Sequence, residues 1–479
     1  MAANPDRLSA LDAAFLDLET PLAPLTVGWT LLFAGRAPTP AALRRHLGAR
    51  LDTLPRLRRR LVEPALGLGD PHWVDDGGFD LARHVHAIRL APPAGAEALR
   101  ELAATLLAAP LDRRRPLWRT TLVDGLRPSG FALVGQAHHA LADGMAALEL
   151  GTMLLDAPGA SDATPARGRW APASPPSAVC VSADAIARRA RAMTAFDEAT
   201  TRSALRDAAL VAQRLAAPVR ERSALERSAS AARRIAFASV PLDDLRAAAR
   251  RHGATVNDAL LAAVAVAIGA ALARRGEPVA TARALVPAST RAADEPGASH
   301  ANRISFLTVD LPLGARDPAD ALRLVRGRTN ARKRSGESGA ADVLLRAADA
   351  LPPAARSRLT RVAARGASYT LVVSNLAGPR EAPTLLGREL VAGWPAVPLT
   401  DGHALAIGAL SLGGRLHVGL TADAALVPDA ADIARDVERA LDALRAAPEA
   451  VPAPWRARAL TRRAQRGASR YTGPPSETA

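Results

Sequence analysis

The sequence predicts an α/β protein with mixed sheets, built as two large lobes. Three observations support this. The chain has 479 residues, too many for one core, since domains run about 100–200 residues. Two stretches, 1–155 and 235–448, each mix strand-like and helix-like patterns. Between them, 156–234 opens with the Pro-, Ala-, Ser- and Gly-rich "DAPGASDATPARGRWAPASPPSA" and continues rich in Ala and Arg. That segment reads as a linker followed by exposed helices. The tail, 449–479, is basic and then polar; disorder is expected there, with membrane-surface contact as the sharper alternative.

In the first stretch, "LTVGWTLLF" has strand character. "TPAALRRHLGARLDTL" opens with Thr39-Pro40, a capping residue followed by a residue suited to the first helical position, and continues with helical spacing. "EALRELAATLLAAPL" is a second amphipathic helix. "LWRTTLVDGL" and "GFALVGQAHH" are strands joined by "RPSG". In the second stretch, "RIAFASVPL" is a strand and "LDDLRAAARRHG" a helix ended by Gly253. "TVNDALLAAVAVAIGAALARRG" holds 15 successive apolar residues, Ala259 to Ala273. A membrane span needs about 20, so this is a buried core helix. Strands follow at "RALVPAS", "RISFLTVDLPL" and "SYTLVVSNLAG". "LAIGALSLGGRLHVGLTAD" is a hairpin turning at Gly413-Gly414, and "PDAADIARDVERALDAL" closes the block as a helix.

The formal charge is +15 and Lys333 is the only lysine. Coding bias toward Arg explains this as readily as attraction to anionic lipid or to a phosphate-bearing substrate. Nucleic acid ranks last, because the arginines are scattered and no RNA-binding aromatic motif or Cys/His finger appears. Cys180 is the only cysteine, which excludes an internal disulfide and a cysteine metal site and suits a reducing cytoplasm. "HVH" (His84, His86) has metal-capable spacing but reads as one polar face of a strand. The first residues lack the basic start and apolar run of a secretory signal. Neither a Walker A motif nor GxGxxG is present, so nucleotide hydrolysis and dinucleotide redox chemistry have no support.

One cluster carries chemistry: "HHALADG", His138 to Gly144, directly after a predicted strand. Imidazole exchanges a proton near neutral pH. Adjacent strand residues face opposite ways, so only one of His138 and His139 faces a given cleft. Gly144 allows a tight turn, and Asp143 suits bracing that turn or capping the next helix, "MAALELGTMLL". The residues alone leave two readings open, a general base on a strand-end turn or a structural polar patch.

The cluster resembles the HHxxxDG motif of the chloramphenicol acetyltransferase-like superfamily of CoA-dependent acyltransferases. The surrounding sequence resembles, within it, the bacterial wax ester synthase/diacylglycerol acyltransferase family. The matching pieces run in order: "LSALDAAFLDLE", "LPRLRRRLV", "PHWVDDGGFDLARHV", "PLDRRRPLWRTTLVDGL" with Pro116-Leu117-Trp118, "GATVNDALLAAV" with Asn257-Asp258, "VPASTR", "ANRISFLTVDLP", "VVSNLAGP" and "GLTADAALVPD". The resemblance covers most of 8–155 and 233–445. The segment 156–232 and the tail depart from it. "ALERSASA" lacks an expected Asn and Gly, and Ala301 stands where a Gly often precedes the residue matching Asn302.

The resemblance implies two chloramphenicol acetyltransferase-like lobes with an active-site tunnel between them. His139 would be the general base and His138 would support the turn. Asp143 would pair with an arginine away from the substrate, beside Gly144. Asn257 and Asp258 would position the histidine, shape the site wall, or cap the core helix. Trp118 is expected to pack in the core rather than touch substrate, and Ser374-Asn375 with Gly378-Pro379 to form a strand-end turn that either shapes the tunnel or is purely structural. The implied reaction moves a fatty acyl group from acyl-CoA to diacylglycerol or a long-chain alcohol, with no covalent intermediate. Acyl-CoA is co-substrate, and neither a bound cofactor nor a metal is expected. A cytoplasmic enzyme touching the inner membrane face or lipid inclusions fits these substrates; nucleic acid does not. The alternatives are a different acceptor, such as a glycolipid or secondary-metabolite alcohol, and a non-catalytic lipid-binding protein of the same fold.

Overall fold

The computed structural model describes residues 8–63, 70–127, 130–141, 151, 155–156, 170–177, 179–183, 186–187, 221–289, 304–334, 351–364 and 368–446. The tail, most of 156–234, and the expected helix after the histidine cluster lie outside these residues.

The first lobe starts with α1 (Ala10–Leu18). The Ser9 hydroxyl accepts from the Asp12 N–H and the Asp12 carboxylate accepts from the Ser9 N–H, a reciprocal cap. Then come β1 (Thr26–Phe33) and α2 (Pro40–Gly48), where Thr39 caps the helix by accepting from the Ala42 N–H. β2 (Arg59–Val62) and β3 (His72–Asp75) form a small ribbon. β4 (Val85–Ala94), α3 (Ala96–Ala108), β5 (Trp118–Leu126) and β6 (Gly130–His138) complete the lobe.

The second lobe opens with β7 (Arg233–Pro241), α4 (Leu242–Arg251) and α5 (Val256–Arg274). β8 (Thr281–Ser289), β9 (Ile304–Pro312), α6 (Pro318–Arg334) and α7 (Pro353–Ala363) follow. β10 (Leu371–Ala377), β11 (Thr384–Leu385) and β12 (Arg388–Ala396) come next. β13 (Leu405–Leu412), β14 (Arg415–Asp423) and α8 (Ala430–Ala446) end it.

Among the described residues there are two six-stranded sheets, ordered β11-β12-β1-β6-β5-β4 and β7-β14-β13-β10-β8-β9. Both are mixed. β4 runs parallel to β5, and β10 runs parallel to β13 and β8, while the other pairs are antiparallel. The predicted hairpin turns at Gly413 and Gly414 with φ of 54° and 74°, the left-handed pair that a two-residue turn requires. α5 is apolar on every side because it is buried on nearly every side, packed against α4, α6 and α8. It alone among the described residues is long and apolar enough to cross a membrane, and it is core.

Chain order and space part company at β11 and β12. They follow the second lobe's β10 in sequence but join the first sheet, where β12 pairs with β1 from Gly28↔Ala396 to Phe33↔Leu390. The crossing strand lies against the second sheet at a glycine pair, Gly408↔Gly419. A methyl group on Gly419 would sit 2.0 Å from the Pro395 carbonyl oxygen, and one on Gly408 would sit 3.0 Å from the Pro395 ring. Trp394 donates to Ser239 Oγ at 3.1 Å and stacks on Phe237 with ring centroids 4.4 Å apart.

Gly419→Ala is therefore expected to lower the denaturation midpoint, with a loss of about 1–3 kcal/mol, because backbone blocks the added methyl. Gly327 is exposed within α6 with nothing near its missing side chain. Gly327→Ala should stabilise by about 0.5–1 kcal/mol. Equal midpoints for the two variants would refute this account of the crossing strand.

Candidate active site

β6 lies inside the first sheet, between β1 and β5, and all its residues after Gly130 are buried. It ends at His138, opposite Thr26. The His138 N–H donates to the Leu117 carbonyl and the His139 N–H to the Leu25 carbonyl, each at 2.9 Å. A tight turn follows, closed by the Leu141 N–H on the His138 carbonyl at 2.8 Å. Leu25 has φ of 47°, a left-handed conformation rare for a bulky residue. The backbone is thus strained where it receives His139.

The two histidines occupy opposite environments. His138 is buried, and its Nδ1 accepts from the Ala140 N–H at 3.0 Å. Burial, reinforced by Arg113 and His139, pushes its pKa down to about 3. It is a neutral, structural imidazole whose proton sits on Nε2. Glu19 Oε2 stands 3.7 Å from that nitrogen. Arg113 holds Glu19 through Nε at 2.7 Å and also donates to the Leu16 carbonyl at 2.8 Å. His139, one residue later, is only partly buried. Its ring stacks on Phe15, with centroids 3.7 Å apart and planes 19° from parallel. An imidazole with one face covered by an aromatic ring and some solvent access suits proton transfer.

The other expected site residues spread out. Asp143 and Gly144 lie outside the described residues. Asn257 and Asp258 sit at the start of α5, where Asp258 Oδ2 accepts from the Thr255 N–H and hydroxyl at 2.9 and 2.8 Å. Capping is therefore one role Asp258 performs. Its Oδ1 is buried without a hydrogen-bond partner among the described residues. Trp118 is buried, donates to the Leu57 carbonyl at 2.7 Å and stacks on His84, as core packing requires. His84 donates to the Trp118 carbonyl at 2.8 Å, while His86 is exposed. Among the described residues no three His, Cys, Asp or Glu side chains gather as a metal site. Ser374 and Asn375 lie near the end of β10, and the Gly378 N–H donates to the Ser411 carbonyl at 2.9 Å.

Phe15, Glu19 and Arg113 were not singled out by sequence. The available signal was the four-residue spacing of Phe15 and Glu19 on "DAAFLDLE", which places both on one helix face.

Burial also holds His403 and His417 at about 4, against an ordinary 6.5. On acidification from 6.5 the unfolded chain binds protons that the folded chain refuses until about pH 4 or, for His138, about 3. This stabilisation is complete above pH 6.5 and is lost as pH falls through that window. Each group contributes up to about 1.4 kcal/mol per pH unit there. Denaturation midpoints should fall between about pH 7 and about pH 5. His138→Asn, whose Oδ1 still accepts from Ala140, should flatten the slope. A pH-independent midpoint would contradict the buried neutral imidazoles.

The model of the wax ester synthase/diacylglycerol acyltransferase catalytic domain matches residues 8–260, and that of the family's C-terminal domain matches 300–445. A Mycobacterium tuberculosis protein named probable diacylglycerol O-acyltransferase tgs1 is 34% identical over 452 residues, 91% of this chain and 95% of that protein. A solved wax ester synthase/diacylglycerol acyltransferase from Marinobacter aquaeolei VT8 has the same fold, with a TM-score of 0.66 and 23% identity over 92% of this chain and 98% of its own. The first condensation domain of the calcium-dependent antibiotic synthetase shares the fold more distantly, with a TM-score of 0.59 and 16% identity over 94% and 98%. With both family domains matched in order and a full-length relative above 30% identity, the chain belongs to the wax ester synthase/diacylglycerol acyltransferase family and is an acyltransferase of the two-lobed, chloramphenicol acetyltransferase-like fold.

Proposed function

We propose that this acyltransferase moves a fatty acyl group from acyl-CoA to the hydroxyl of diacylglycerol or a long-chain alcohol, giving triacylglycerol or wax ester and CoA. The observation that carries the reading is the unequal histidine pair: a buried neutral His138 fixing a turn, and a partly accessible His139 presented by it. His139 takes the alcohol proton as the oxygen attacks the thioester carbonyl carbon. The tetrahedral oxyanion collapses, the C–S bond breaks, and the CoA thiolate takes the proton back from the imidazolium. Electrons and protons balance without a covalent acyl-enzyme. No cofactor enters these steps, and acyl-CoA is co-substrate only. The names of the mycobacterial relatives support diacylglycerol as acceptor.

The assay supplies palmitoyl-CoA with either hexadecanol or dioleoylglycerol and follows CoA release and ester product. His139→Ala should lose about 100- to 10,000-fold in rate. Undiminished turnover in that variant would remove His139 from the role. Labelled acyl-CoA without acceptor should leave the protein unlabelled, and a stable acylated protein on the path would overturn direct transfer.

Both substrates partition into membranes, and the chain carries +15. The enzyme should therefore dock peripherally on anionic surfaces. It should float with vesicles containing phosphatidylglycerol and, at raised salt, be released. Equal absence from anionic and neutral vesicles would defeat this part of the reading.

A further inference from the structure

Helix α1 touches both histidines. Phe15 lies within α1, and Glu19, four positions on, is the residue that ends the helix. Phe15 lies along the His139 ring, and Glu19 reaches toward the His138 ring. Two adjacent residues of a strand end are thus gripped by one residue of the helix and by the residue that caps its C-terminal end. The grip on His139 is a flat aromatic contact that limits the ring's rotation. The grip on His138 is electrostatic, and it acts on the position of a proton.

The hydrogen-bond pattern fixes where that proton must be. His138 Nδ1 accepts from the Ala140 N–H, so Nδ1 is bare and Nε2 carries the hydrogen. In the other tautomer Nδ1–H would face the Ala140 N–H, donor against donor, and the bond that shapes the turn would be lost. The ring is neutral and buried, so the tautomer is decided by what surrounds the two nitrogens. Nε2 has no hydrogen-bond partner among the described residues. At 3.7 Å the Glu19 carboxylate is too far for a normal hydrogen bond, but it places negative charge on the Nε2–H side. Arg113 keeps it there: its Nε binds Glu19, and it also bonds the Leu16 carbonyl on the last turn of α1.

We propose that Glu19, held by Arg113, is a positioning residue for acyl transfer: its carboxylate sets the Nε2–H tautomer of His138, so that His138 Nδ1 fixes the Ala140 turn and thereby the orientation of His139. This rests on the assignment of His139 as the base. Glu19 touches neither substrate nor His139 in this scheme. It acts through His138, as the carboxylate partner of a histidine does wherever the far nitrogen has a geometric task. Burial, with Arg113 and His139 beside it, keeps the His138 ring neutral, so the 3.7 Å approach of Glu19 is a charge–dipole contact rather than an ion pair.

The test compares wild type, Glu19→Ala, Glu19→Gln and Arg113→Gln with palmitoyl-CoA and the better alcohol acceptor. Glu19→Ala should lower kcat about 10- to 100-fold, the effect of misplacing a base by a fraction of an ångström to an ångström. KM for palmitoyl-CoA should stay within about twofold, because nothing that binds CoA is removed. Glu19→Gln, whose amide oxygen still accepts from an N–H, should recover part of the loss. Arg113→Gln changes a half-exposed residue and should give a smaller loss of the same kind, which covers the case of an unfolded Glu19→Ala.

The second readout is the long-range 1H–15N spectrum of histidine-labelled protein, with His138 assigned by its disappearance in His138→Asn. Wild type should show the Nε2–H pattern, and Glu19→Ala a mixture of tautomers. A folded Glu19→Ala with wild-type kcat, or the same single tautomer in both proteins, overturns the proposal. If the wild type transfers no acyl group, the functional assignment fails by that assay, while the tautomer spectrum still decides whether Glu19 sets the state of His138.

Discussion

Pro395 resting on the Gly408–Gly419 pair is the contact on which the rest of the molecule depends. A strand from the second half of the chain completes the first sheet, and it can do so only if it passes close over the second sheet. Two opposed glycines remove the side chains that would keep it away. The crossing then brings the lobes into register. Trp394 bonds and stacks on β7, Ile235 of β7 joins a cluster with Leu99, Ala103 and Val134 of the first lobe, and Arg233 reaches the Leu22 carbonyl. Leu22 is three residues before strained Leu25, whose carbonyl anchors His139. The geometry of the histidine turn is therefore held from the second lobe as well as from the first.

Helix α1 is fixed in the same two-sided way. On one side Phe15 and Glu19 face the histidines. On another, buried Arg356 of α7 pairs with Asp70 at 2.6 Å and with Asp17 at 3.8 Å, and Arg361 donates to the Asp17 carbonyl. Burial pushes the Asp17 carboxyl up while Arg356 opposes it, so the cluster is a desolvated charge network. Such a network adds little stability compared with apolar packing, but breaking one member strands a buried charge. Its value here is a single allowed placement for α1.

The sequence announced the elements with strong local signals. Thr39-Pro40 capped α2, Gly413-Gly414 made its turn, and the 15-residue apolar run was the core of α5. Local pattern could not show that "RELVAGWPA" joins β1 rather than its chain neighbours, because that pairing spans some 360 residues and its cause is a glycine notch on another sheet. α6 and α7 were hidden by their arginines, which obscure the apolar stripe. The strand read at "HVH" runs on as β4 through Pro92-Pro93, which local pattern did not suggest and which is tolerated because β4 is an edge strand. At the site, the motif pointed to His138 and His139 but not to their opposite environments. Which of the two is buried depends on where β6 stops and on α1, and neither is written in seven residues.

The scarce aromatics sharpen that last point. Only 3% of residues are aromatic, yet they repeatedly lie against imidazoles: Phe79 and Trp118 on His84, Trp394 against His417, Tyr369 on His403, Phe15 on His139. In a core of Leu, Val and Ala, a neutral imidazole is a flat ring that also satisfies buried polar groups, and an aromatic neighbour suits its shape. Stacking by itself therefore does not mark a catalytic histidine here. His84, His403 and His417 are fully buried, and burial lowers each of their pKa values, so they spend their nitrogens on structural bonds. His139 has the same aromatic support but is only partly buried. Among these imidazoles beside aromatic rings it is the only partly buried one, and that difference in access, rather than the doubled histidine itself, is what the proposed role of His139 as base rests on.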